Sequence, residues 1–235
     1  MHPFVHLHVH SQYSLLDGQA SISKLVDKAI ADGMPGIALT DHGNMFGVKE
    51  FFNYINKKNG ARRDRIKALK ELIERLENGT ATDKDKGDDA EAALAKARAE
   101  LDSVPKADFK GIIGCEVYVA RRRLFNKEKA MGDYSGYHLI LLAKNITGYK
   151  NLIKIVSKAY TEGMYGRPRT DRTELEKYHE GLICCSACIG GELPRRIREN
   201  ELEKAREAAL WYKNLFGDDY YLELQLHKAT VERAN

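Results

Sequence analysis

Long apolar runs are missing from this sequence, which has no stretch of about 18 consecutive apolar residues and so predicts no transmembrane helix. The first residues also lack the apolar stretch of a signal peptide. We therefore expect a cytoplasmic protein with no membrane partner. Proline is scarce, at 5 of 235 residues, and 43% of the residues are hydrophobic. That composition excludes collagen-like repeats and general disorder, and it suits one large domain or two small ones.

Cysteine is also scarce, and its spacing argues against a disulfide framework. Three of the four cysteines crowd into positions 184, 185 and 188, and the fourth is Cys115. Free thiols or metal ligands are the expected roles. A zinc knuckle built from all four is excluded because Cys184 and Cys185 are adjacent and would face opposite sides of a strand.

Three common catalytic signatures are absent: the Gly-x-Ser-x-Gly elbow, a glycine-rich phosphate loop and a dinucleotide-binding fingerprint. The net charge of +4 is compatible with a nucleic-acid partner and equally with an enzyme that has none.

Short apolar runs alternate with helical patterns, which indicates an α/β fold with a parallel sheet or barrel. Strands are predicted at residues 4–10, 36–42, 111–119, 138–143, 181–188 and 220–227. Helices are predicted at residues 22–32, 148–159 and 202–215. Ser21 is the predicted N-cap of the first helix, and Gly33 is its predicted terminator.

Residues 57–108 break this alternation, because they are highly charged and contain no strand pattern. Apolar residues at positions 66, 69, 73 and 76, and again at 90, 94, 97 and 101, recur at helical spacing. We predict a helical hairpin with its turn at 78–89, inserted into the surrounding domain. A solvated decoration is favoured over a nucleic-acid or partner arm, since its basic and acidic residues nearly cancel.

The first predicted strand carries three histidines on one face, His6, His8 and His10. Imidazoles at every second residue of a strand offer converging nitrogens to a metal ion. His8 and His10 lie nearest the C-terminal end of the strand, where barrels carry their active sites, whereas His6 is expected deeper and structural.

Further metal-ligand types lie at or near other predicted strand ends. Glu116 interrupts a buried apolar run, which is costly for a carboxylate that is neither paired nor metal-bound. The full candidate set is His8, His10, Asp17, His42, Glu116, His138 and Cys188. This mixture of N, O and S donors suits two or three divalent ions and predicts metal-assisted phosphoester hydrolysis.

Ordered motifs then identify a family resemblance. The motifs are HLHVHS at 6–11, YSLLDG at 13–18, TDHGN at 40–44, GCEVY at 114–118 and HLILLA at 138–143. They resemble the polymerase and histidinol phosphatase (PHP) family. Four further segments, at 145–152, 157–160, 181–188 and 221–225, resemble PHP domains at the N-terminus of bacterial replicative DNA polymerases.

The resemblance implies a distorted seven-stranded (β/α) barrel over residues 1–235, truncated at its C-terminal end, with three bound metal ions. His8 and His10 would hold one ion, and Glu116 would bridge it to a second held by His138 and Cys188. Asp17 and His42 would help to hold the third. Zinc or manganese is expected, with magnesium as a third option.

The resemblance also implies a part of a DNA-directed DNA polymerase, a nucleotidyltransferase. Its partners would be DNA, downstream polymerase domains and other replisome subunits. The expected activity is 3′–5′ exonuclease. The alternatives are a metal-stabilised scaffold without turnover and, less favoured, a free-standing small-molecule phosphatase. Arg167 and Arg169 are candidate phosphate contacts, with loop solubility and ion pairing as the competing role. His227 stays open between a ligand and a surface histidine.

Overall fold

The computed structural model describes residues 4–225, apart from Leu16 and Asp88. It has a mixed α/β architecture, which confirms the α/β part of the predicted fold. The helices are α1 (Ile22–Ala31), α2 (Val48–Glu77), α3 (Asp83–Lys86), α4 (Ala90–Ser103), α5 (Ile146–Thr161), α6 (Arg172–Tyr178), α7 (Glu192–Arg198) and α8 (Leu202–Phe216). The strands are β1 (Gly36–Leu39), β2 (Lys110–Ala120), β3 (Gly136–Ala143), β4 (Met164–Tyr165), β5 (Arg167–Thr170), β6 (Leu182–Cys185) and β7 (Tyr220–Tyr221). None of the helices in this described part has the length and apolarity to cross a bilayer.

The sheet is built around β2, its longest strand. β1 lies parallel to the first half of β2, β3 runs antiparallel to the second half, and β5 pairs in parallel near the end of β2. The strand order is β4-β5-β2-β3-β6-β7, with β1 attached to β2 off this path. The sheet is therefore mixed and not wholly parallel as predicted. Within residues 4–225, as far as they are described, it does not close into a barrel.

The first predicted strand is wrong. Residues 4–10 form an irregular segment beside β1 that bends at Leu7 and His8. It is held by hydrogen bonds from the Ala38 amide to the His6 carbonyl and from the Thr40 amide to the Val9 carbonyl, each 2.9 Å. Two backbone bonds over this length are too few for a regular ladder. The short strands β4 and β5 carry no extended apolar run and are not among the predicted strands.

Side-chain alternation gives the sheet two different faces. Odd-numbered residues of β2 and β3, such as Val117, Val119 and Leu139, pack with helices α5, α6, α7 and α8 in the largest apolar cluster. Even-numbered residues, including Glu116 and His138, point to the opposite, inner face. The helices thus cover the outer face, and the polar side chains of both strands share the inner one.

Helix α1 begins and ends as its sequence predicts. The Ser21 hydroxyl accepts a hydrogen bond from the Lys24 amide, and Gly33 takes the positive φ that suits glycine at a helix end. Helices α5 and α8 also form, each within two residues of its predicted bounds.

The charged segment at 57–108 is helical but does not begin where its composition changes. Helix α2 runs unbroken from Val48, so its first turns belong to the apolar cluster of α1 and β1 and its later turns extend beyond it. Leu69 and Ala97 are buried between α2 and α4, and Arg65 and Arg98 form ion pairs with Glu100 and Glu77 across them. The two helices thus pack against each other as a hairpin.

Candidate metal centre

Glu116 lies at the centre of the inner face with 0% of its surface exposed. Three imidazole nitrogens approach its Oε2 atom: Nδ1 of His42 at 2.9 Å, Nε2 of His10 at 3.1 Å and Nε2 of His8 at 3.3 Å. Nδ1 of His138 lies 2.8 Å from the other oxygen, Oε1. One buried carboxylate is thus surrounded by four histidines.

The contacts at Oε2 fit a shared metal ion better than they fit hydrogen bonding. Glu116 Oε2 and His42 Nδ1 are both buried, and neither has a hydrogen-bond partner among the described residues despite lying 2.9 Å apart. Nε2 of His8 and Nε2 of His10 are 3.1 Å apart. Two nitrogens bound at about 2.0–2.1 Å to one tetrahedral zinc ion would lie about 3.4 Å apart. A buried, unsatisfied carboxylate beside converging nitrogens is costly unless a cation joins them.

Cys188 and Asp17 complete the set at either side of Glu116. The Cys188 sulfur is 3.6 Å from Glu116 Oε1 and 3.6 Å from His138 Nδ1. Asp17, whose side chain is 54% exposed, places Oδ2 at 2.8 Å from His42 Nε2. All seven candidate ligands therefore lie in one cluster, called the Glu116 cluster below.

The cluster divides almost as the family resemblance implies. His8, His10 and Glu116 form one group able to hold an ion, as expected. The second such group consists of His42, Glu116 and His138, so His42 reaches Glu116 as well as Asp17. His6 belongs to neither group: it is exposed and contacts Phe4, which corrects the expectation of a deeper, structural position.

Backbone pairing explains why distant residues meet here. Beyond β1 the chain stays against β2, since the Glu116 amide donates to the Asp41 carbonyl and the Gly43 amide donates to the Glu116 carbonyl. His42 therefore lies beside Glu116. The loop carrying Asp17 folds back so closely that a Cβ on Gly18 would lie 1.7 Å from the Ser11 carbonyl oxygen, which leaves room only for glycine.

A hydroxyl and a carboxylate outside the predicted set orient His10. Ser14 Oγ donates to Oδ1 of buried Asp41 at 2.7 Å. Its oxygen lies 3.0 Å from His10 Nδ1 and accepts the amide hydrogen of His42, also at 3.0 Å. Since the hydroxyl hydrogen is directed to Asp41, His10 must donate from Nδ1. The lone pair of its Nε2 is then directed at the cluster.

His8 is oriented in the same manner by Glu223. Nδ1 of His8 donates to Glu223 Oε1 at 2.7 Å, which leaves Nε2 to face Glu116 and His10. Ser14, Asp41 and Glu223 are not among the residues that the sequence predicts for these roles. The only available signal was their position in the motifs quoted above.

Charge and burial act against each other inside the cluster. Burial opposes ionisation of Glu116, but the four surrounding imidazoles, those of His10, His138, His42 and His8, outweigh it and hold the pKa of this carboxyl far below its usual range. Burial likewise opposes protonation of His8, whereas Glu116 and Glu223 raise its pKa to about 9. The pKa of His138 also rises to about 9, because Cys188 and Glu116 outweigh burial. Without a metal ion, protonated His8 and His138 supply the positive charge beside the Glu116 carboxylate.

Comparison with known proteins gives the family. The model of the PHP domain matches residues 6–227. The chain belongs to the PHP family. It is 44% identical over 224 residues to the DNA polymerase III subunit alpha of Borreliella burgdorferi, covering 95% of this chain and 15% of that protein. The subunits of Treponema pallidum and Thermus aquaticus are 39% and 35% identical, over 98% and 95% of the chain. This PHP domain spans about 15% of the length of these relatives.

One aromatic and one basic side chain, Tyr118 and Arg167, border the Glu116 cluster of this PHP domain. The Tyr118 ring stacks on His42, with centroids 5.8 Å apart, and meets His138 edge-on at 5.1 Å. The guanidinium of exposed Arg167 lies over the same ring at 5.6 Å. Burial raises the pKa of Tyr118 to about 12, so its phenol is neutral near pH 7.

Arg169 is a structural residue, and the prediction of a phosphate contact here finds no support. It has 0% exposure, and its guanidinium donates to the carbonyls of Gly163, Leu124 and Asn126 at 2.8–3.1 Å and to that of Asp133. These bonds occupy the donors that a phosphate would need. None of the four cysteines, all of which are described, forms a disulfide, which agrees with the expectation of free thiols or metal ligands. His227 lies outside the described residues.

Proposed function

We propose that this PHP domain is part of a DNA polymerase III alpha subunit and that its Glu116 cluster binds two or three divalent metal ions for phosphodiester hydrolysis. The observation that carries the proposal is the buried Glu116 carboxylate, which faces four imidazoles and one thiol while its Oε2 makes no hydrogen bond to any described residue. The reaction proposed is 3′–5′ exonuclease cleavage of DNA, a proofreading-type activity.

In this proposal Glu116 would be a ligand shared between ions. His8 and His10 would hold one ion with Glu116, and His138 and Cys188 would hold the second. Asp17 and His42 would contribute to a third. The mixture of imidazole, carboxylate and thiolate donors favours zinc or manganese over magnesium. When bound, such ions supply an acidified water molecule and stabilise charge on a phosphoryl group.

The chain's own residues would position the DNA strand. Arg167 is exposed beside the cluster, and its guanidinium can donate to a phosphate next to the scissile one. Tyr118 holds the Arg167 guanidinium over its ring and packs against His42 and His138, so it maintains their spacing. Ser14 and Glu223 keep Nε2 of His10 and of His8 aimed at the ions.

The parent protein would be a DNA-directed DNA polymerase, a cytoplasmic nucleotidyltransferase whose partners are DNA and replisome subunits. The similarity to polymerase alpha subunits along nearly the whole chain supports this role. The sheet would then be part of the seven-stranded PHP barrel. The hairpin at 57–108 would be an insertion into it.

The test is exonuclease activity of the full-length protein with His8→Ala and His10→Ala combined. We expect a loss of about 100-fold or more, since two ligands of one ion are removed. His6→Ala is the matched control, because this histidine lies on the same segment but outside the cluster. Undiminished activity in the double variant, with the wild type active, would refute the hydrolytic role.

A metal-stabilised scaffold is the second candidate, favoured by the way the cluster joins six separate parts of the chain. These are residues 8–10, Asp17, His42, the two strands β2 and β3, and Cys188. Metal binding to such a site contributes folding free energy. A large fall in melting temperature on chelation, without nuclease activity under any metal, would favour the scaffold.

A further inference from the structure

A cavity lined mainly by arginine lies on the outer face of the sheet, away from the Glu116 cluster. Its volume is about 410 Å³, and it opens where β2 ends and where α6 and α7 begin. Tyr137 lines it, whereas its neighbour His138 belongs to the cluster, so the sheet separates the two sites. Its charged lining residues are Arg121, Arg122, Arg123, Arg172, Arg196 and Glu192. We call it the arginine cavity.

The carboxylates that balance these arginines mostly lie outside the cavity. Arg122 pairs with Asp133, Arg123 with Asp171 and Arg196 with Glu201, and none of these three carboxylates lines it. Only the pair of Arg172 with Glu192 brings an acidic side chain into the lining. The lining therefore carries five positive charges and one negative charge. Four of these arginines are already offset by their carboxylates, so among the described residues the charge left for an added anion to offset is that of Arg121.

Two of the arginines have donors that the described residues leave unused. Arg121 is exposed and forms no ion pair with the described part of the chain; its recorded contact is with the Tyr137 ring. The Nε atom of Arg196 is buried and has no hydrogen-bond partner there. A guanidinium has five N–H donors, so the arginines already paired also retain free ones.

Aromatic rings hold several guanidiniums in place before any ligand binds. Arg121, Arg195 and Arg196 lie 5.4–6.0 Å from the centroid of the Tyr137 ring. Arg172 lies 4.6 Å from the Trp211 ring. Stacking of this kind reduces the side-chain entropy that a ligand would otherwise have to remove.

We infer that the arginine cavity binds the phosphate groups of a single-stranded DNA segment, as a second contact separate from the metal centre. The geometry supplies the anion site, and the choice of DNA as its source rests on the proposed function. Arginine forks match the oxygens of a phosphodiester, and a cavity of this volume accepts part of one strand but not the width of a duplex.

Fluorescence anisotropy of an end-labelled oligothymidylate with phosphorothioate linkages, measured across a salt series, tests the inference. The linkages protect the probe from hydrolysis, so the readout is binding alone. Arg121→Ala should weaken binding about fivefold and make the slope of log affinity against log salt shallower by about 0.7. Arg121→Lys, which keeps a phosphate-binding charge, should restore most of both. Arg206→Ala on α8 removes the same charge from an exposed position outside the cavity and is the matched control.

Equal affinity and equal slope for Arg121→Ala and Arg206→Ala would overturn the inference. Arg121 is exposed and unpaired among the described residues, so its removal should leave the thermal melt unchanged, which checks folding. If the protein binds the strand through Arg121 yet never hydrolyses unmodified DNA, the inference is supported and only the proposed hydrolysis fails. Inorganic phosphate that competes away the probe in the wild type but less readily in Arg121→Ala would give further support.

Discussion

Two buried charges in this protein, Glu116 and Arg169, have opposite surroundings although both are 0% exposed. The Arg169 guanidinium donates to four backbone carbonyls and is held by them. The Glu116 carboxylate meets three imidazole nitrogens at Oε2, and this oxygen has no hydrogen bond within the described part of the chain. A buried charge with every partner in place stabilises the fold, whereas one with converging but unbonded partners indicates a ligand.

The largest expected effect is a loss in the free energy of unfolding when the buried Arg169 is replaced. Arg169→Met should cost about 3–5 kcal/mol in the free energy of unfolding, because four carbonyls lose their buried donor. The measurement is urea denaturation followed by circular dichroism. Arg167→Met, two residues away and exposed, is the control and should change stability by about 0.5 kcal/mol or less. Similar losses for both variants would show that Arg169 has no special structural role.

A smaller effect should follow from disturbing the orientation of one imidazole. Ser14→Ala removes the acceptor for His10 Nδ1 and should weaken metal binding about 10- to 100-fold, as measured by competition with a chromophoric chelator. Ser11→Ala is the control, since Ser11 also donates to Asp41 but does not contact an imidazole through its hydroxyl in the described hydrogen bonds. Equal metal affinity in both variants would contradict the orienting role of Ser14.

The smallest effect should appear at low pH, in the melting temperature of a variant at Asp133, whose carbonyl accepts a hydrogen bond from Arg169. Hydrogen bonds from Arg122 lower the pKa of Asp133 to about 2, against about 3.9 in an unfolded chain. The carboxylate thus contributes stability above about pH 4, and this contribution is lost as the pH falls through 2. Asp133→Asn should flatten the fall of melting temperature across that window, while Asp102→Asn on α4 should leave it steep. Parallel curves for native protein and Asp133→Asn would count against this pairing.

The sequence predicted the α/β class and assembled the candidate site because both depend on strong local patterns. Alternating histidines on one segment and a carboxylate inside an apolar strand are visible without a structure, and the seven side chains do converge. Their role as ligands remains a prediction. The prediction of a strand at residues 4–10 was wrong because an alternating pattern indicates which way side chains face. It does not indicate whether the backbone forms the hydrogen bonds of a ladder.

Features that depend on tertiary contacts could not be read from the chain. Arg167 and Arg169 look alike in sequence, and only the convergence of four carbonyls on the second distinguishes them. Glu223 reaches His8 across 215 positions, which no periodicity encodes. The mixed strand directions likewise follow from how β3 docks antiparallel to β2 and β6.

The most direct test of the central claim is the metal content of the purified protein, measured by mass spectrometry beside Glu116→Gln. The substitution keeps the size of the side chain and removes only its charge. We predict more than one equivalent of zinc or manganese per chain in the native protein and a loss of most of it in Glu116→Gln, with His6→Ala unchanged. Equal metal content in the native protein and Glu116→Gln would contradict the account.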